Sequence, residues 1–214
     1  MSEGNTDAQR LQMINGQLRA SDINDHDLLA AFAAVAREKF VAAPLRALAY
    51  GDGEILSSGP PGRKLLSPRT LGLMLKAAAP LKGERALTVG AGAGYGAALL
   101  AALGLDVVAL ETDSGAARAV GIAGVACIDG PLSEPPTGHA PFDVILVNGA
   151  FEVAPQRLIS ALSQGGRLLA VSAGSNAKRI VIFERFGAGI SERSLYDAAA
   201  DVLPGLERAP AFAF

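Results

Sequence analysis

The chain of 214 residues has a single cysteine, two histidines, no tryptophan and an aromatic content of only 5%. A lone Cys127 cannot close an internal disulfide, and His26 and His139 without further ligands make no metal-binding cluster. Charge of one sign is equally scarce: 19 Lys and Arg stand against 21 Asp and Glu, a formal net charge of −2. With no lysine or arginine run, that balance supplies no field to draw in nucleic acid or an anionic membrane. Every long apolar stretch is broken by Gly, Pro or a charge before ~18 residues accumulate. Residues 1–7 lack a basic segment followed by an apolar one, so no export signal is read. These absences lead to the expectation of a cytoplasmic, metal-free protein with neither nucleic acid nor membrane as partner. The oligomeric state is left open.

What the chain does have is apolar residues, 50% of it, and 25 glycines. At this length that is enough to bury a large core in one α/β domain. The reading is a single domain over residues 1–214, with helices and a loop region in 1–66 ahead of a sheet in 67–214. The stretch on which the rest is arranged is Ala86-Leu87-Thr88-Val89-Gly90-Ala91-Gly92-Ala93-Gly94-Tyr95-Gly96, an apolar run entering alternating glycines. Residues 97–103 then have the composition of a helix, so the glycines fall between a strand end and a helix N-terminus. There the backbone turns sharply, approaches a ligand closely and offers it free N–H groups. A second apolar strand, residues 106–110, ends in Glu111, whose carboxylate can accept two hydrogen bonds from a ribose diol. Strand, glycine loop, helix, strand and acid make the nucleoside-binding half of a doubly wound sheet. From Gly90 the loop reads G-x-G-x-G, common in S-adenosylmethionine sites; from Gly92 it reads G-x-G-x-x-A, a relaxed dinucleotide fingerprint. The loop alone does not separate them.

Ahead of this unit, apolar spacing predicts a helix from Thr6 to Leu18 and another from about Asp25 to Val35. Residues 41–61 read as a loop with a weak hairpin or edge strand at Glu54-Ile55-Leu56, lying over the ligand edge of the sheet. Ser67-Pro68 starts a helix as N-cap and first helical residue. Beyond the glycine loop come a helix at 114–120, strands at 124–128, 141–147 and 167–171, a helix from Pro155 to Leu162, and the turn Gly165-Gly166. This alternation predicts a mostly parallel sheet with helices on both faces. Residues 179–186 and a piece near Ser194-Leu195-Tyr196 have no helix between them and read as an antiparallel pair closing the edge.

With those pieces placed, the chain resembles the protein-L-isoaspartate O-methyltransferase family over nearly its whole length. The specific part of the match is N-terminal: Met13, Gln17-Leu18, Ile23-Asn24-Asp25, Val35, Arg37-Glu38, Phe40-Val41, Ala49-Tyr50 and Asp52. The glycine loop with Tyr95, Glu111, Asp129-Gly130, Pro141-Phe142-Asp143 and Gly165-Gly166-Arg167 follow in the family's order. The resemblance implies a Rossmann-like class I methyltransferase fold with an antiparallel C-terminal edge. It also implies S-adenosyl-L-methionine as cofactor, and methyl transfer to the isoaspartyl carboxylate of damaged proteins or peptides. By the same resemblance Gly90, Gly92 and Gly94 back the methionine and ribose, Glu111 binds the ribose diol, and Asp129 lies by the adenine amino group. Thr88, Tyr95 and Gly130 complete the set the resemblance implies, and Asn148-Gly149, just past the strand at 141–147, lies on the ligand edge of the sheet, which adds Asn148 as a cofactor-binding candidate with a simple turn as the alternative.

The chain departs from the family in two places. Thr88 stands where the family usually carries an acid before the glycine loop, and a neutral hydroxyl cannot pair with the cofactor's ammonium as a carboxylate does. The substrate loop, normally glycine, glutamine, threonine, isoleucine, serine before the helix-starting proline, here reads Gly62-Arg63-Lys64-Leu65-Leu66-Ser67-Pro68. Catalytic residues are therefore unassigned, with Lys64 and Ser67 as candidates, Lys64 or Arg63 being able to hold a carboxylate and Ser67 having a sufficient job as helix cap. A cofactor-binding scaffold without repair activity, or a methyltransferase for another small substrate, is the alternative reading.

Overall fold

In the computed structural model, residues 3–174 and 177–209 are described. Helices α1 (Glu3–Met13) and α2 (His26–Ala34) come first, then a short hairpin of β1 (Ile55–Leu56) and β2 (Lys64–Leu65), then α3 (Pro68–Ala78). Local chemistry sets the helix starts. Asp25 Oδ1 accepts from the Leu28 N–H at 2.8 Å, and Ser67 Oγ accepts from the Thr70 N–H at 3.1 Å, with a proline in the first turn of α3.

Strands and helices then alternate: β3 (Arg85–Val89), α4 (Tyr95–Ala102), β4 (Asp106–Glu111), α5 (Gly115–Val120), β5 (Val125–Asp129), β6 (Phe142–Phe151), α6 (Gln156–Ser160) and β7 (Leu162–Ser172). The antiparallel hairpin of β8 (Arg179–Phe186) and β9 (Gly189–Asp197) follows. The sheet runs in the order β5-β4-β3-β6-β7-β8-β9, the first five strands pairing in parallel and the β7–β8 and β8–β9 pairings antiparallel. The chain moves outward from β3 to β5 and then crosses back to β6. The crevice beyond the carboxyl ends of β3 and β6 is therefore the switch point at which open α/β sheets take their ligands.

Both faces of this sheet are covered, which is why β3 is buried on both sides from Ala86 to Val89 rather than alternating. Ala86 faces a cluster that includes Leu75, Leu99 and Leu146, while Leu87 and Val89 face one that includes Leu158, Ile145 and Leu203. Each such leucine, fully buried, contributes about 1.5–3 kcal/mol.

Four expectations change in detail. The N-terminal run divides, with α1 ending at Met13 and Ile14–Leu18 widening into a π turn. The widening turns Ile14 and Leu18 inward onto α3, so closely that a Cβ on Gly72 would stand 2.9 Å from Leu18 Cδ2. Helix α6 stops at Ser160 rather than reaching Leu162, because Leu162 pairs with Phe142 in the sheet. Asn148 and Gly149 are not past the strand but inside β6, at a register irregularity between Leu146 and Ala150, and Gly165-Gly166 likewise lie within β7.

Candidate active site

The glycine crest sits where β3 ends and α4 begins. Gly90 and Gly92 adopt φ of +65° and +58°, the left-handed region open to glycine, and they bring bare backbone to the switch point. The crest does not face open solvent. A Cβ on Gly92 would lie 2.9 Å from Ser57 Oγ and 3.2 Å from Arg63 Cγ, and a Cβ on Gly90 would lie 2.6 Å from Leu203. The strap joining β1 to β2 therefore lies on the crest, and Gly59 at its tip packs directly on the Gly92 backbone. Ser57 Oγ accepts hydrogen bonds from the N–H groups of both Ala93 and Gly59, each at 3.0 Å.

Glu111 ends β4 one strand over, and its side chain is 0% exposed. Arg63 Nε and Nη2 donate to Oε2 and Oε1, both at 2.9 Å, in a two-pronged clamp. The Gly92 N–H donates to Oε2 at 2.8 Å, and the Thr112 N–H and hydroxyl donate to Oε1 at 2.8 and 3.1 Å. Arg63 itself is 10% exposed, so this is a buried ion pair whose acceptor is fully supplied.

Asp129 stands beside Glu111 in the parallel register but lives differently. It takes the N–H and hydroxyl of Ser114 at 2.6 and 2.7 Å and Arg118 Nη2 at 2.9 Å, tying β5 to the start of α5. The Ser114 bonds, with Arg118, hold its carboxyl down to about 2. The next residue, Gly130, donates its N–H to the Glu111 carbonyl at 2.9 Å.

The remaining implied positions surround the crest. Asn148 Nδ2 donates to the Val89 carbonyl at 3.2 Å, bracing β6 against the end of β3. With Arg63, Lys64, Thr112 and Asp201 it lines an open cleft of about 400 Å³. Thr88 is wholly buried in β3, its hydroxyl 3.5 Å from the Val108 carbonyl. Tyr95 starts α4 but sends its ring into a cluster with Phe32, Phe40 and Arg37. Burial pushes its hydroxyl up to about 12 against the pull of Arg37. A larger cleft of about 710 Å³, lined by Leu28, Leu75 and Leu103 among others, lies beyond the C-terminal ends of α3 and α4, far from these groups.

A family model for protein-L-isoaspartate(D-aspartate) O-methyltransferase matches residues 9–197. A Methylorubrum populi protein-L-isoaspartate O-methyltransferase is 41% identical over 172 residues, covering 77% of this chain and 79% of its own. One from Koribacter versatilis is 35% identical over 195 residues, covering 88% and 86%. The chain belongs to the protein-L-isoaspartate O-methyltransferase family. A solved protein-L-isoaspartate O-methyltransferase superposes with a TM-score of 0.79 at 23% identity, over 92% of this chain and 67% of that one. A Plasmodium falciparum chain described as the same enzyme, in complex with S-adenosyl-L-homocysteine, gives a TM-score of 0.76 at 21% identity, over 91% and 97%. At those identities the two structures speak to the fold, the class I methyltransferase sheet with its antiparallel edge.

The family's nucleoside cofactor can be tested against the residues present. A crest of bare backbone and a buried carboxylate one strand over fit such a group, and both lie at the switch point. The place beside them is taken by the chain's own Arg63 and Ser57. Arg63, read in the sequence as able to hold a substrate carboxylate, instead holds Glu111. Lys64 Nζ pairs with Asp201 at 2.8 Å on the rim of the cleft, and the hydrogen bond it donates to Asp201 raises its pKa. Ser67 is engaged in capping α3, also donating to Thr70 Oγ1 at 2.9 Å. Leu66, in the same loop, is 2% exposed and part of the core.

Two structural residues escaped the sequence reading. Ser57 had no motif to mark it. Arg37, quoted only as part of the N-terminal match, is fully buried and donates to the carbonyls of Ala49 and Leu66, each at 2.8 Å. No local pattern reveals an arginine whose partners are backbone carbonyls.

Proposed function

We propose that the chain is an S-adenosyl-L-methionine-dependent carboxyl methyltransferase acting on isoaspartyl residues of damaged proteins or peptides. The observation that carries this reading is the glycine crest at the switch point with Glu111 beside it, in a chain of this family. The cofactor, when bound, supplies a methyl group on a positively charged sulfur. In this reading Gly90, Gly92 and Gly94 back the cofactor's methionine and ribose with bare backbone, Glu111 accepts the ribose diol, and Asp129 and Gly130 border the base. Asn148 and Thr88 fix the strand ends behind it, and Tyr95 anchors the first turn of α4 in the core.

The nucleophile is the substrate's own carboxylate, ionised near neutral pH, so the chain has no proton to remove. Its residues have to align the carboxylate and exclude water, effects worth up to ~7–11 kcal/mol in favourable cases. Lys64, on the cleft rim, is a cation that a substrate carboxylate could engage in exchange for Asp201, at some cost to its nucleophilicity if the pair is tight. Ser67 is assigned its capping role alone. Among the described residues no helix is long and apolar enough to cross a membrane. A cytoplasmic site of action, on protein or peptide rather than nucleic acid, completes the proposal.

The test is methyl transfer to an isoaspartyl peptide and to its aspartyl twin. Transfer to the first and not the second is expected. Transfer to neither, or to both alike, overturns the assignment; tight cofactor binding without transfer would leave the catalytically silent scaffold.

A further inference from the structure

We propose that the strap from Ser57 to Arg63 is a built-in competitor for the nucleoside, with Arg63 standing in the position the ribose diol would take on Glu111. The inference rests on the cofactor reading above and goes beyond it.

Three contacts place the strap where a ligand must go. Arg63 occupies both oxygens of Glu111, which already receive three further hydrogen bonds from Gly92 and Thr112, so no lone pair is left for a sugar hydroxyl. Ser57 Oγ takes the Ala93 N–H, a crest donor that a ligand could otherwise engage. Gly59 lies so close on Gly92 that an added Cβ would be 2.6 Å from the Gly92 carbonyl carbon, leaving no layer for a ligand between the two backbones. The Ser57 N–H donates to the Arg63 carbonyl at 2.8 Å, so the two ends of the strap move together.

The strap is held at its feet and free at its tip. The feet are the two-residue pairing of β1 with β2, the Val41–Ser57 bridge and the Ser58 N–H on the Phe40 carbonyl at 2.9 Å, while the tip is Gly59-Pro60-Pro61-Gly62, with Pro61 and Gly62 exposed. Apart from these feet it is the Arg63 and Ser57 side chains that keep it on the crest, so a ligand that takes their partners releases it. Crest and acid are in place before ligand arrives, and the ion pair neutralises a carboxylate that would otherwise be buried and charged. The measured affinity is then the intrinsic affinity multiplied by the fraction of molecules with the strap lifted.

Calorimetric titration of S-adenosylhomocysteine into the wild-type chain, Arg63→Ala and Arg63→Lys tests this. The alanine variant should bind at least about tenfold more tightly than wild type. The lysine variant, which keeps the charge but cannot form the two-pronged clamp, should fall between. Wild-type binding with unchanged or weaker affinity in Arg63→Ala overturns the competitor and leaves the cofactor reading standing. Binding to none of the three overturns that reading and this one with it. If Arg63→Ala fails to fold, amide exchange on the wild-type chain decides. Ligand should speed exchange at Gly59 and Arg63 while slowing it at Gly92 and Ala93, and a strap that stays equally or better protected with ligand bound overturns the proposal.

Discussion

Glu111 and Asp129 are neighbours in register at the ends of adjacent parallel strands, yet the chain treats them in opposite ways. Asp129 is 49% exposed and held by Ser114 and Arg118, partners from the helix just before its own strand. Glu111 is wholly buried and held by an arginine 48 positions earlier in the chain. The first acid serves local architecture, fastening the start of α5 to β5. The second joins two distant parts of the molecule, and any ligand that wants it must compete with Arg63. Adjacent positions on one sheet edge can thus differ in kind: one is a cap, the other a contested site.

That contrast can be broken by substitution. Glu111→Ala should have the largest effect, because it strands Arg63 without a counter-charge, and a loss of about 3–5 kcal/mol is expected in urea unfolding. A loss no greater than that of an ordinary surface substitution would show that the pair is not buried as described. Gly92→Val should follow, with about 1–3 kcal/mol of backbone strain at φ +58°. It should also lose S-adenosylhomocysteine binding, and retained affinity would move the site away from the crest. Ser57→Ala removes the acceptor for the Ala93 N–H at a cost of about 1 kcal/mol in the same unfolding experiment, and faster exchange of that amide should accompany it.

The smallest effect belongs to Asp129→Asn, and it should depend on pH. The folded carboxyl sits at about 2, below its ordinary 3.8, so its stabilisation is complete above the ordinary value and is lost as pH falls toward 2. The difference in Tm between wild type and Asp129→Asn should be present at pH 5 and close as pH drops from about 4 to about 2. A gap that does not change over that window would mean the Ser114 bonds do not depend on the charge.

Local signals in the sequence carried much of this architecture. The apolar run into Gly90, the caps at Asp25 and Ser67, and the helix-free join between residues 179–186 and 194–196 each rest on short-range chemistry, and the elements form where that chemistry puts them. The errors came where distant packing overrides spacing. Leu18 is drawn onto Gly72 and widens a helix, and Leu162 leaves α6 to pair with Phe142. At the candidate site the order of crest and acid was legible, as was the position of the strap over the ligand edge. What filled that edge was not. An ion pair between Arg63 and Glu111 leaves no periodic trace, and a charge in a polar loop reads as solvated until the fold shows what it faces.

Arg37 adds a last consequence. Its guanidinium pins the carbonyls at residues 49 and 66, the two feet of the stretch that contains the strap. Because the pins are main-chain oxygens, they hold whatever side chains the intervening positions carry. Side chains between the two pins can therefore change in charge or size while the scaffold on either side keeps its place.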